Sequence, residues 1–481
     1  MAKVKNQGFI DRAIAAVAPV TGLRRMQARI KTTALMNYDA ASFGRRLNGW
    51  KTPSTDADAA SEYGRSRMRN LSRDMIRNAP FARRAQSVVT NNVVGLGITP
   101  SLTAKTEKAR KAGKPVLDHM LSTGIDAYGE QNILGLQTTV MNAVFESGEI
   151  LAVRIMKSGP NDLNLPFQIK LLEADYLDQF ITSYGKNEVR DGVEYNGDGA
   201  IVAYHIYYDH PGSSSIKLKL KSQRWPASEV LHMRRVDRAG QLRGVPWLAP
   251  VMLTLGELRD YQEAQIVKQK MSALLALIIE NDGDLVDGQL GLEALSPGAI
   301  VHATSGQKVT PVNPPSVDDY DPVMRLGLTA IAMGIGITAE SLSGDLSRVN
   351  FSSGRMGRME MDKNIETWQA RILIEQFCVG VARWSWDALR FKNTDPGSNA
   401  GLSLTWTPPR RALIDPTKEI PAMIKQVEKG VTSLQRVQRG LGLDPETIRK
   451  EREEDERLGN GVTVDPIEKK PLAKTGEKNE G

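Results

Sequence analysis

Arg348, Arg355 and Arg358 flank the polar run SLSGDLSRVNFSSGR, residues 341–355. Guanidinium groups on a stretch rich in Ser and Gly suit one chemistry, the grip of phosphate without base readout. Glycine and serine leave the backbone many conformations, and arginine is a permanent forked cation. Asn350 and Ser352 add hydrogen bonding to the same stretch. Ion pairing to Asp345 or Glu360 is the competing use for these arginines. Elsewhere chemistry is sparse. The acid pairs Glu173/Asp175 and Asp318/Asp319 are of the kind common in turns and on surfaces, and His205, His210 and His232 lack metal-ligand spacing. Cys378, the one cysteine, sits among Ile374, Phe377 and Val381 at helical spacing, as a buried structural thiol does. There is no GxxxxGKS/T loop to cradle nucleotide phosphates, and no HExxH, CxxC or GxSxG. These patterns predict no catalytic residue, no metal site and no cofactor.

The arginine-flanked run must be held by what surrounds it. The chain from Pro246 to Glu280 reads as one long helix. Val251, Leu255, Leu258, Tyr261, Ala264, Val267, Met271, Leu274 and Ile278 recur three and four apart on one stripe. At about 1.5 Å per residue it would be roughly 50 Å long. Glu257, Arg259, Asp260, Glu263, Lys268 and Lys270 rule out a membrane span, so the helix is a strut with one apolar face. A second helix is predicted over 317–341, with Gly327 and Gly334 among the small residues that let another helix approach closely. Leu255, Leu258, Tyr261, Met271, Leu274, Gly327 and Gly334 are the expected packing residues of this two-helix stalk. The insert between the helices, 281–316, is too small for its own core, and PGAIVHATSGQKVTPV within it reads as a hairpin. Asp284, Gln289 and Lys308 are its candidate partner-binding residues.

The rest of the chain forms a body for the stalk. Residues 1–90 carry 17 Lys and Arg against 6 Asp and Glu, a larger surplus than the whole-chain net charge of +7, so the basic character is N-terminal. Residues 1–60 read as a basic arm, with a short amphipathic helix at its start rather than a signal peptide. Asp56 to Asn92 reads as one or two helices with Arg65, Arg67, Arg69, Arg73 and Arg77 mostly off the apolar face; a solvated face and a phosphate- or partner-binding face both fit. From Val93 to Ser222 the pattern alternates, as strands do, with one strong helix at Leu134 to Phe145. A helix from Met356 to Arg390, a strand in LSLTWTPPRRALIDP, helices over Pro416–Gly440 and Pro445–Leu458 and a disordered tail complete an α+β fold.

Several pieces, taken in order, resemble the lambda-type family of tailed-phage portal proteins over nearly the whole chain. They are Trp50 with the following DADAA, LSRDMIRNAPFARRA, VVGLGI, GEILAVRI, LLEADYLD and GVEYNGDGAIVAYHIY. More specific are WPASEVLHMRRVDRAGQLRGVPWLAPVMLTLGELRDYQEA, NFSSGR, WTPPRRALIDPTKEIPA and KGVTSLQRVQRGLGLDPE; the double arginine Arg410-Arg411 departs from the more aromatic or mixed pair expected there. The resemblance implies a portal-type fold: a wing (61–245), stem helices (246–280 and 317–341), a clip (281–316), a tunnel loop (342–355), a wing helix with returning strand (356–415), crown helices (416–458) and a tail (459–481). It implies a twelve-subunit ring at one capsid vertex of the virion, assembled in the host cytoplasm. Double-stranded DNA would pass through that ring. The implied partners are the large terminase subunit, which is the packaging ATPase, the head-tail connector or adaptor, and the major capsid and scaffold proteins, with no membrane. Arg348, Arg355, Arg358, Asn350 and Ser352 would then face DNA. Two other classes compete. A nucleic-acid-processing enzyme needs clustered carboxylates for metal ions, and those here are dispersed. A helical scaffold protein fits poorly with the glycine-rich second helix and the strand-rich body.

Overall fold

The computed structural model describes residues 20–21, 53–157, 165–214, 219, 221–273, 277–281, 307–311, 320–392, 401–409, 411, 413 and 415–459. It falls into two units, Met1–Asp56 and Ala57–Gly481. In the first, residues 20–21 are helical and exposed, and the amphipathic helix expected at the start otherwise lies outside the described residues. In the second, the first elements are α1 (Arg65–Asn78), α2 (Pro80–Val93), β1 (Thr99–Thr103), α3 (Glu107–Leu121), α4 (Ile133–Ser147), β2 (Glu149–Met156) and β3 (Phe167–Glu173). The strands β4 (Ser183–Tyr184), β5 (Asn187–Arg190), β6 (Val193–Tyr195), β7 (Ile201–Tyr207), β8 (Ser222–Pro226) and β9 (Val230–Arg234) follow. Next come α5 (Met252–Ala273), β10 (Leu277–Asn281), β11 (Gln307–Pro311), α6 (Tyr320–Ile335), α7 (Ala339–Ser343) and α8 (Phe351–Trp368). A π-helical stretch (Gln369–Cys378), α9 (Val379–Phe391), β12 (Ser403–Thr407), α10 (Pro416–Glu428), α11 (Leu434–Gly440) and α12 (Pro445–Arg457) complete it.

Period-two alternation builds two antiparallel sheets, one ordered β3-β2-β9 and one running β4 to β8 as a meander. The central strand β2 is covered on both faces. Ile150 and Ala152 enter the main core with Phe145, Phe167 and Trp247, while Leu151 and Val153 enter a second core with Tyr204, Ile206 and Val230. The main core continues without a break into the base of the stalk, through Leu248, Val251, Leu255 and Leu258. The stalk is thus rooted in the body by the same apolar packing that folds the body.

Several expected elements differ. The alternating region holds a second helix, α3, whose Thr106 side chain accepts from Ala109 N at 3.1 Å; Gly113 and Pro115 inside it obscure its period. The long helix expected over 246–280 is α5, 22 residues and so about 33 Å rather than 50. Before it, Ala249 and Val251 donate to Pro246 O and Leu248 O in turns. After it, Leu277–Asn281 is a strand paired antiparallel to Gln307–Pro311. The run Leu-Ile-Ile satisfies helical and strand patterns alike, and the partner strand decides between them. The described partner of residues 307–311 is β10, and the first half of the hairpin expected in the insert lies outside the described residues. The second stalk helix ends at Ile335 rather than 341, because Gly336 turns left-handed at φ 89° and Thr338 starts the short α7. The helix expected from Met356 starts earlier, at Phe351, and runs through the π stretch to Phe391. Pro416–Gly440 is two helices, broken around Gly430 at φ 70° and restarted by the Ser433 cap.

The Arg-rich face of α1 is neither solvated nor free for a ligand at three of its positions. Arg69 is 1% exposed and pairs with Asp175 at 2.9 Å; Arg73 reaches Glu173 and Asp175, each at 2.7 Å; Arg65 pairs with Asp191. Beneath them Glu149 is wholly buried. It accepts from Arg243 Nη2 at 2.7 Å and from Gly244 N at 2.7 Å, with His232 Nε2 2.9 Å away. Burial alone would raise the Glu149 carboxyl, yet Arg243 beside it and the His232 contact hold it well below the usual carboxylate range. Arg67 and Arg77 remain exposed.

Candidate nucleic-acid interface

The arginine-flanked segment is shorter and better fixed than its composition suggests. Asn350 caps α8, its side chain accepting from Ser353 N at 2.8 Å, so Ser352 and Arg355 lie on the first turns of that helix and not in a loop. What remains outside helix is residues 344–350. Gly344 enters at φ 76°, Ser343 Oγ accepts from Asp345 N at 3.1 Å, and Asp345 Oδ1 accepts from Ser347 N at 2.9 Å. The Ser347 hydroxyl and N–H hold the Asp345 carboxyl below its ordinary range, so it stays a fixed anion in the turn.

Among the described residues Arg348 makes no ion pair within 4 Å with Asp345 or Glu360, although its charge helps to lower the Asp345 carboxyl. Its Nη2 lies 3.5 Å from Asp321 Oδ2 at the start of α6, where Arg325 also pairs. Both Arg348 and Asp321 are mostly exposed, so the contact is worth about 0–1 kcal/mol and gives way readily to a stronger anion. Arg355 and Ser352 are exposed. Arg358, one turn on, is half-buried and lines a cleft of about 550 Å3 behind the turn, together with Arg84 of α2 and Arg411 beyond β12. Sequence reasoning missed Arg84 and Arg411 as neighbours of this segment. The signal was present in the FARRA motif and in the unexpected arginine pair, but nothing local connects positions so far apart.

The stalk that carries this segment packs as two helices. Leu255 and Leu258 are buried, and Tyr261 stacks on Tyr320 with centroids 5.9 Å apart and planes at 16°. Gly327 lies against Leu258 and Gly334 against Val251, so close that an added Cβ would stand 2.6 and 2.4 Å from those side chains. Met271 falls in the last turn of α5, and Leu274 lies outside the described residues. In the insert, Lys308 sits opposite Glu280 in the β10–β11 ladder; Asp284 and Gln289 lie outside the described residues.

Groups with catalytic potential are committed to structure. His232 is driven down to about 4 by burial, and burial pushes the enclosed Cys378 thiol up. Glu173, Asp175 and His210 bring ligand-type atoms together, but Arg73 already spans the two carboxylates. Among the described residues no helix is long and apolar enough to cross a membrane.

Residues 43–369 match the model of the family described as phage portal protein, lambda family. The "Probable portal protein" of Halomonas phage phiHAP-1 is 24% identical, covering 92% of this chain and 93% of that protein. The portal protein of Escherichia phage N15 is 22% identical, covering 87% of this chain and 90% of that protein. Among solved structures, a chain of the neck of a native gene transfer agent particle, computed with C12 symmetry, aligns with a TM-score of 0.47 and 14% identity over 79% of this chain and 94% of that one. The family model spans more than half of the sequence and the portal proteins of two phages align with nearly all of it, so the chain belongs to the lambda family of phage portal proteins, structural and non-enzymatic components of the capsid.

Proposed function

We propose that this portal protein assembles as a closed homo-oligomeric ring, twelve subunits being the expected number, at one capsid vertex, and that double-stranded DNA passes through it during packaging and ejection. The observation that carries the ring is on α6. One face, Met324, Leu328, Ile331 and Ile335, is buried in the chain's own core. A second face at the same spacing, Val323, Leu326 and Met333, is bare, with Leu326 and Met333 each 74% exposed. A helix apolar on both sides belongs in an interior, and copies of the same chain arranged in a ring supply one. In such a ring the exposed Arg348 and Arg355 become circles of positive charge. Those circles hold phosphates without reading bases.

In this reading α5 and α6 are the stem, residues 344–350 with the first turns of α8 are the tunnel segment, and residues 61–245 are the wing. The 281–316 insert, through Asp284, Gln289 and Lys308, is the clip that meets the large terminase subunit and then the head-tail connector. The outer body meets the major capsid and scaffold proteins. The test is Leu326→Glu with Met333→Glu. Both side chains are already exposed in one chain, so the variant folds with unchanged circular dichroism, but native mass measurement finds it unassembled. Rings at the parent's yield from that variant refute this interface.

A further inference from the structure

We propose that the cleft behind residues 344–350 is a binding site for one phosphate-class oxyanion, met as a free ion or as a single phosphodiester of DNA. Only the second source rests on the conduit reading above. Four separate stretches converge to build the site: Arg84 from α2, Glu340 from α7, Ser353 and Arg358 from α8, and Arg411 beyond β12. The cleft, at about 550 Å3, is within the size range of ligand sites and leaves space around a phosphate for a sugar or for water.

The arginines are pre-aimed. Arg84 Nε donates to Ser341 O at 3.1 Å, which fixes the side chain while using one of its five N–H donors. Arg411 pairs through Nη2 with Asp362, yet its Nη1 is buried with no hydrogen-bond partner. A buried donor left unmade is expensive, and an oxyanion in the cleft satisfies it. Charge also matches. Three guanidiniums, Arg84, Arg358 and Arg411, line the cleft with a single carboxylate, Glu340, so the wall presents mostly cationic donors. Burial and the nearby Arg358 lower the Arg411 guanidinium from its usual value, while Asp362 and Glu366 oppose them. The N-terminal turn of α8, an 18-residue helix, adds its positive dipole end to the same wall.

The test uses the full-length protein. Thermal unfolding is followed in sodium phosphate and in sodium chloride at equal ionic strength, with the parent, Arg84→Gln, Arg411→Gln with Asp362→Asn, and the exposed, remote control Arg67→Gln. The expected result is a higher midpoint in phosphate for the parent and the control, and loss of that increment in the two cleft variants. The exposed Arg84 keeps the test valid even where the double variant fails to fold. A labelled short DNA duplex is titrated in parallel. Weaker duplex binding by Arg84→Gln, with competition by phosphate, assigns the site to the DNA backbone. Unchanged duplex binding with the phosphate increment still lost assigns it to free phosphate and leaves the conduit reading untouched. An increment in the cleft variants equal to the parent's, or none in the parent, overturns the site.

Discussion

Gly327→Ala is a substitution whose sign the structure decides. In an exposed helix interior, Ala in place of Gly stabilises by about 1 kcal/mol. At position 327 the added Cβ would stand 2.6 Å from Leu258 Cδ1, 3.3 Å from Cδ2 and 3.5 Å from Cγ. Leu258 is 6% exposed within the main core, so it has little room to turn away. Overpacking of this kind costs about 1–3 kcal/mol. Set against the propensity gain, the net is destabilisation by roughly 1 kcal/mol, within a range of about 0–2. Leu258→Ala alone empties a core position and costs about 2–5 kcal/mol. Combined with Gly327→Ala it costs less than the sum, since the new methyl enters the vacated space; a coupling of about 1–2 kcal/mol is expected. Urea unfolding of the four proteins, under conditions that keep the chain unassembled, measures the cycle. Stabilisation by Gly327→Ala with no coupling to Leu258 would show that the helices do not touch here.

Three further outcomes follow from the same structure. Glu149→Gln leaves buried Arg243 without its closest counter-charge, with Asp191 3.9 Å away as the remaining ion pair, and lowers stability by about 3 kcal/mol, read as a fall in the urea midpoint with an unchanged slope; a change under 1 kcal/mol contradicts the buried network. Burial lowers His119 from 6.5 to about 4, so the unfolded chain takes up a proton that the native state refuses. Stability from this residue is therefore full above pH 6.5 and falls as pH drops toward 4, by on the order of 3 kcal/mol. His119→Phe, beside Phe167, flattens that limb, and an unchanged acid limb in the variant refutes the assignment. Arg348→Ala with Arg355→Ala leaves unfolding within about 0.5 kcal/mol of the parent because both side chains are exposed, yet it slows packaging or weakens retention of packaged DNA and reduces the salt dependence of DNA binding. Packaging and retention equal to the parent at low and high salt remove these arginines from the DNA path.

Local chemistry made much of the fold legible. Strand alternation located β2, β3 and β7, helical spacing located α4, α5 and α6, and the order of motifs gave the family. What escaped was decided at a distance. Leu277–Ile279 suits either period until Gln307–Pro311 is placed beside it. Arg69 and Arg73 look like a surface stripe until Glu173 and Asp175, a hundred residues later, close over them. Single residues with a special backbone role moved the ends of other elements. Gly336 stopped α6 early, and Asn350 drew Ser352 and Arg355 into α8; both residues are plain in the sequence, but their neighbours are consistent with either conformation. The cleft arginines were beyond reach for the first reason, because Arg84, Arg358 and Arg411 meet only in the folded chain.

The central claim, a ring that conducts DNA, is tested most directly by electron microscopy of the purified full-length protein. The account predicts end-on views of a closed ring with a central opening and side views with a narrow stalk beneath a wider body. A uniform population of monomers or compact dimers, with no central opening at any protein concentration, would contradict it.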